Sequence, residues 1–214
     1  MLYEKNKWSN LNELLNYSTY YKKFRRWTEQ NVFQKAFEIL VTVLNKKIFN
    51  HKHLEKMFMD STDIQNKSGF EDIGRSYKYK FKYATRINVI VDRYGIPISI
   101  NISAANINDT DLTIKTVDKI PIKIITSRKY PKYLITDKGY VSIKNKNNLK
   151  NKIILVYGKK KNCNNLKLNY YQEKKYKRLL KTRSINENFF SWLKQFKRIM
   201  VRYEVSFLRN KLLK

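Results

Sequence analysis

Lys56–Ile64 reads KMFMDSTDI and Arg86–Ile102 reads RINVIVDRYGIPISINI. The second stretch decides the layout. Arg86–Val91 and Ile96–Ile102 are β-branched and alternating, and Asp92-Arg93-Tyr94-Gly95 between them is a turn tetrad too short for a crossover. These two runs therefore form an antiparallel hairpin. Lys56–Ile64 is an apolar strand interrupted at its centre by Asp60, and it is expected to pair with the hairpin.

Downstream, Asn108–Val117 reads as a helix with Asn108 or Asp109 as its cap. Tyr133–Thr136 is a buried strand that runs into Asp137-Lys138-Gly139, and Lys152–Val156 is another short buried strand. Gly158–Asn169 is polar and loop-like, and a long helix is expected from Gln172 to about Arg202. Upstream, apolar residues at helical spacing (Val32, Phe33, Ala36, Phe37, Leu40, Val43, Leu44) predict a helix over Thr28–Lys47, packed through Phe33, Phe37, Leu40 and Leu44. The segment before it, YYKKFRRW (Tyr20–Trp27), alternates aromatic and basic residues. It reads either as an ordinary amphipathic helix or as one whose Arg25 and Arg26 meet phosphate. The class is α/β, a mixed sheet flanked by helices and preceded by a small helical segment. The division expected is 1–50 and 51–214.

The chain has 214 residues, with 46 Lys and Arg against 17 Asp and Glu, a formal charge of +29. Part of that excess follows from a Lys-, Asn- and Ile-rich composition of the kind an AT-rich genome encodes. The remainder excludes an ordinary neutral metabolic enzyme and points to a polyanion, most simply DNA or RNA. A single cysteine, Cys163, excludes a disulfide framework, and His51 and His53 lack further ligands to complete a zinc site. No signal peptide and no run of the roughly 20 apolar residues that a span needs is present. The expectation is a soluble, intracellular, DNA-associated protein (cytoplasm or nucleoid) with no membrane role.

With so few acids, those on apolar strands stand out. Asp60 and Asp137 sit on two core strands, where a carboxylate is costly unless paired or metal-bound. They read either as turn caps and lysine partners or as a site for a hard divalent cation. Glu187 is a third candidate. On a helical wheel it shares one face with Arg183, Ser191, Lys194 and Arg198, while Phe189, Trp192, Leu193, Phe196, Ile199 and Met200 form the opposite, packing face. An i,i+4 salt-bridged surface explains that face equally well. Asp63, Asp92, Asp109 and Asp111 are set aside: Asp92 as a turn residue, Asp109 as a cap, Asp63 because strand alternation points it away from Asp60.

MDSTDIQNKSG (Met59–Gly69), VDRYGIPISINISAANINDTD (Val91–Asp111), ITDKGY (Ile135–Tyr140) and NENFFSWLKQFKRIMVRYE (Asn186–Glu204) follow one another in an order and spacing that resembles a DDE transposase of the insertion-sequence-5 family, within the insertion-sequence-4 superfamily. Lys7–Phe37 is similar to the family's N-terminal helical region. The resemblance implies an RNase H-like fold with Asp60, Asp137 and Glu187 as the metal-binding catalytic carboxylates. It implies two Mg²⁺ ions, with Mn²⁺ able to substitute. The family's helix signature of Tyr, Arg, Glu and Lys matches at Arg183, Glu187 and Lys194 but has Leu180 in the Tyr position, with Tyr176 one turn before. Compared with the family, the chain looks shortened at its start. The partner implied is double-stranded DNA, at terminal inverted repeats and at the target, contacted by a homo-oligomer. Lys138 and Lys194 are the bases expected nearest the scissile phosphate, joined by Arg25, Arg26 and Arg183 as DNA contacts. Two other readings stay open on the sequence: a non-catalytic basic nucleic-acid-binding protein and an inactive transposase remnant.

Overall fold

The computed structural model describes residues 16–44, 52–121, 132–158 and 168–202. Cys163, His51, Glu204 and most of the Gly158–Asn169 segment lie outside the described residues. Two helices lead, α1 (Tyr17–Glu29) and α2 (Val32–Val43), followed by strand β1 (Lys56–Asn66). Next come β2 (Gly74–Arg75), β3 (Tyr83–Val91), β4 (Pro97–Ala104) and helix α3 (Asp109–Val117). Then follow β5 (Tyr133–Ile135), α4 (Ile143–Leu149) and β6 (Ile154–Val156). Helices α5 (Tyr170–Leu180), α6 (Ser184–Leu193) and α7 (Lys197–Met200) precede β7 (Val201–Arg202).

The seven strands form one mixed sheet. β3 and β4 are the expected hairpin, in register from Thr85↔Ala104 to Val89↔Ile100. Its turn is closed by the Asp92 carboxylate, which accepts from the backbone N–H of Tyr94 (2.8 Å) and Ile96 (2.9 Å). Gly95 takes the left-handed conformation there, at φ 81°. β1 pairs antiparallel with β3 and parallel with β5, and β5 pairs parallel with β6. The principal order β4-β3-β1-β5-β6, with only β3 reversed, is the RNase H-like arrangement the resemblance implies.

Consecutive Met57, Phe58 and Met59 are all buried, so both faces of β1 are covered. On one face α3 docks through polar contacts as well as Leu112 and Val117. Asn88 Nδ2 donates to Thr116 Oγ1 (3.1 Å), and Ser99 Oγ donates to the Thr116 carbonyl (2.6 Å). Phe189 and Phe190 of α6 join the same core as Phe58, Leu134 and Val156.

Five sequence expectations are corrected. The helix placed over Thr28–Lys47 begins at Val32, because Asn31 is left-handed at φ 55° and separates it from α1. Within α2, Val41 is buried and Phe37 reaches the core, whereas Leu40 is 61% exposed. The long helix over Gln172–Arg202 is three helices and a strand. Thr182 Oγ1 turns back onto the Leu179 carbonyl (2.7 Å) to end α5, and Phe196 is extended between α6 and α7. Val201–Arg202 leaves the helix because β1 offers it an edge, pairing Gln65↔Val201 and Asn66↔Arg202. In addition, Trp192, placed by the helical wheel on the packing face, is half exposed, while Phe190, off that face, is buried, because the early turns of α6 carry the packing. Asn108 stands at the N-cap of α3 without a side-chain capping bond, and Asp109 turns instead to Arg86 (2.9 Å).

Candidate functional site

The β1–β5 register sets the site. Met57↔Leu134 and Phe58↔Ile135 are parallel partners, so Asp60 and Asp137 follow at matching positions on neighbouring strands. Beyond that pairing the same edge of β1 carries no strand among the described residues until β7 joins at Gln65. Asp60 stands at the start of this opening. Its Oδ1 accepts from the Ser61 N–H (2.9 Å). Asp137 ends its strand as the cap of a short turn, Oδ1 accepting from the Lys138 N–H (2.8 Å). That turn is fixed from outside: the Tyr140 carbonyl accepts from Thr113 Oγ1 (2.9 Å) and from Asn145 Nδ2 (3.0 Å).

Both acids face one guanidinium. Arg183 Nη2 lies 3.6 Å from Asp60 Oδ2, and Nη1 lies 3.5 Å from Asp137 Oδ1. The residue expected as a DNA contact thus lies between two of the expected metal ligands. Two carboxylates share one positive charge here, and their oxygens are the hard donors that Mg²⁺ prefers. On this observation the pair fits a divalent cation. Glu187 lies one helical turn after Arg183 in the first turn of α6 and is exposed. Among the described residues no three acid, His or Cys side chains come together as a metal-holding group, so the structure joins Asp60 with Asp137 and leaves Glu187 outside that pair. Lys138 and Lys194 are both exposed, Lys194 as the residue that closes α6. Arg25 and Arg26 lie on α1, where Arg25 pairs with Glu29 (3.5 Å).

A partly buried ionic network is centred on Arg86. Arg86 Nε donates to Asp63 Oδ1 (2.8 Å) and Nη1 to Asp109 Oδ1 (2.9 Å). Burial alone would lower the Arg86 pKa, but the bond and charge of Asp63 outweigh it and the net shift is upward. Burial raises Asp109, with Arg86 and Lys78 opposing and the charges of Asp60 and Asp63 adding. Tyr140 is pushed well up by burial, then by Asp109 and Asp60. Thr113, Asn145 and Tyr140 were invisible to sequence reasoning as supports of the site. Their role comes from where a turn falls in space, and only the ITDKGY stretch hinted at it.

A family model described as "Transposase DDE domain" matches residues 51–209. That is most of the chain, which therefore belongs to the DDE transposases. No curated protein matches it by sequence. Solved structures it is similar to include the piggyBac transposase synaptic complex with hairpin DNA, at 13% identity and a TM-score of 0.39 over 59% of this chain and 29% of that one. The catalytic domain of Mos1 mariner transposase is similar at 13% identity and a TM-score of 0.34, over 84% of this chain and 96% of that one. The Mos1 paired-end complex with left transposon end is similar at 11% identity and a TM-score of 0.32, over 80% and 63%. The chain thus spans less than a third of the piggyBac chain. Among the described residues no helix is long and apolar enough to cross a membrane.

Proposed function

We propose that the chain cuts and joins DNA at the ends of a mobile element, with Asp60, Asp137 and Glu187 as the reacting-site carboxylates. The observation that carries this reading is the Asp60–Arg183–Asp137 bridge, two strand-end acids gathered around one positive charge in a chain of +29. Asp60, Asp137 and Glu187 would hold two Mg²⁺ ions, or Mn²⁺ in their place. Such ions, when bound, activate an attacking water or 3′-hydroxyl and neutralise the leaving oxygen. The chain's own residues do the rest. β1 and the turn after β5 carry two acids at matching positions, and Glu187 on α6 would join them when a cation binds. Lys138 and Lys194 hold the phosphates on either side, and Arg183 keeps the acids together against their mutual repulsion. Arg25 and Arg26 of the 1–50 segment, with Lys22 and Lys23, grip the flanking duplex, and residues 51–214 form the catalytic domain. Assignment to the insertion-sequence-5 family, terminal inverted repeats and target DNA as substrates, and action as a homo-oligomer complete the proposal.

The test is nicking of an element-end duplex in Mg²⁺ or Mn²⁺. Asp60→Ala, Asp137→Ala and Glu187→Ala are each expected to abolish nicking, a loss of at least about a thousandfold on the scale of a removed catalytic group. DNA affinity should stay within a few-fold, because binding rests on the bases. Equal nicking by Glu187→Ala would remove Glu187 from the mechanism. A folded wild type that never nicks the correct ends would favour the inactive remnant.

A further inference from the structure

We propose that the loop Ser76–Tyr83 is a platform on which unpaired DNA bases stack. Its sequence, SYKYKFKY, alternates rings and lysines and contains no acid. The rings are out in solvent: Tyr77 is 84% exposed, Phe81 63% and Tyr83 52%. Tyr77 and Phe81 meet edge to face, 5.7 Å between centroids. Lys78, Lys80 and Lys82 are exposed between them.

This loop is not loose. Ser76 is fully buried, and its Oγ donates to Asp63 Oδ2 (2.6 Å), the acid already tied to Arg86. The Ser76 carbonyl accepts from the Phe81 N–H (2.8 Å), and the Ser76 N–H donates to the Lys82 carbonyl (2.9 Å). Tyr79 Oη donates to the Asp63 carbonyl (3.2 Å). Within that closed loop Lys80 and Phe81 are both left-handed, at φ 51° and 62°. An aromatic residue rarely adopts this conformation, and such strain persists only where the surroundings impose it. The fold thus holds Phe81 in a costly conformation that turns its ring outward, where the edge-to-face contact with exposed Tyr77 is its one ring contact among the described residues.

The occupant follows from the chemistry. Successive nucleotides offer a base face and then a phosphate, which is the pattern of ring and lysine here. A fully paired duplex hides its base faces and would use the lysines alone. The loop is also placed near the acids: Arg86 bridges its anchor, Asp63, to Asp109, and a Cβ on Gly139, two residues past Asp137, would lie 3.5 Å from Asp109 Oδ2. The proposal rests on the cutting-site reading only for the source of the unpaired DNA; the binding needs neither Asp60 nor Asp137.

The experiment uses the full chain in EDTA, with a fluorescein-labelled forked duplex bearing an unpaired thymidine tail and its fully paired counterpart. Tyr77→Ala/Phe81→Ala is expected to weaken binding of the fork by roughly tenfold or more while the paired duplex changes by less than about twofold. Replacing Lys78, Lys80 and Lys82 with Gln should weaken both probes and reduce the salt slope by about 2–3. Phe81→Gly separates strain from folding. It should raise the melting temperature by a few degrees, on the order of 2–4 °C, while losing affinity for the fork. Equal loss on both probes, matched by equal loss on heparin, would reduce the loop to a charge patch and overturn the proposal. So would wild-type affinity for the fork in the ring variant, or a lowered melting temperature in Phe81→Gly. A wild type that shows this split yet never nicks supports the platform and sinks the cutting-site reading; nicking without the split does the reverse.

Discussion

Arg183 combines two properties at the residue scale: it lies between Asp60 and Asp137, and it sits one turn before Glu187 on α6. Its guanidinium and the two carboxylates are partly exposed, so the bridge contributes only about 0–1 kcal/mol. Its larger effect is on competition, since a cation entering between the acids must displace it. Arg183→Gln is expected to melt up to about 4 °C lower in EDTA. Mn²⁺ should then stabilise the variant more than it stabilises the wild type, because binding of a ligand to the folded state alone raises stability by mass action. Thermal melts of both proteins against a Mn²⁺ series read this directly. A variant that responds to Mn²⁺ no more than the wild type would show that the guanidinium does not compete for the acid pair.

Among the elements, the strands were legible and the helix ends were not. RINVIV and IPISINI around DRYG specified the hairpin because period-two alternation and a four-residue turn leave one solution, and KMFMD and YLITD each put an acid on a core strand, their adjacency being implied only by the family resemblance. The break in the long helix left no sequence signal, since neither Gly nor Pro marks Thr182 or Gln195, and a hydroxyl bond and a competing sheet edge decided it. Glu187 was singled out by its helical face, but where it lies relative to the acid pair depends on how α6 lies over β1, which no local pattern encodes. β7 is held by Arg202, buried at 4%, whose Nη1 donates to the Glu71 carbonyl and to Thr85 Oγ1 (3.1 Å). Gly69 makes room for it, as a Cβ there would come 2.5 Å from Arg202 Cζ. Arg202→Ala is expected to cost about 2–3 kcal/mol, the range for hydrogen bonds to a charged group. Gly69→Ala should cost less, because the end of a side chain can shift. Urea unfolding gives both values. Hydrogen exchange should report faster opening at the β7 backbone in each variant, and unchanged exchange there would show that β7 pairs without Arg202.

For the whole molecule, buried phenols set the alkaline limit. Burial raises Tyr79, Tyr140, Tyr157 and Tyr176 above the ordinary tyrosine value, Tyr140 most of all. The unfolded chain releases these protons near pH 10 while the folded chain keeps them. The stability they contribute is therefore complete below pH 10 and is lost as the pH climbs past it. Tyr140→Phe should narrow the loss by about 1 kcal/mol per pH unit above 10, measured by urea melts of both proteins from pH 8.5 to 11. Parallel curves would show that Tyr140 titrates alike in both states. The pairing of β1 carries a different consequence, for a chain still emerging from the ribosome. β3 can pair with β1 early, but β5 completes one end of its other edge much later, and β7, with Arg202, arrives last of the described elements. Arg183 and Glu187 are translated shortly before it. A nascent chain thus displays its two strand acids well before the guanidinium that bridges them. The central strand thus gains its last described partner, and the acid pair its guanidinium, within one short stretch of translation.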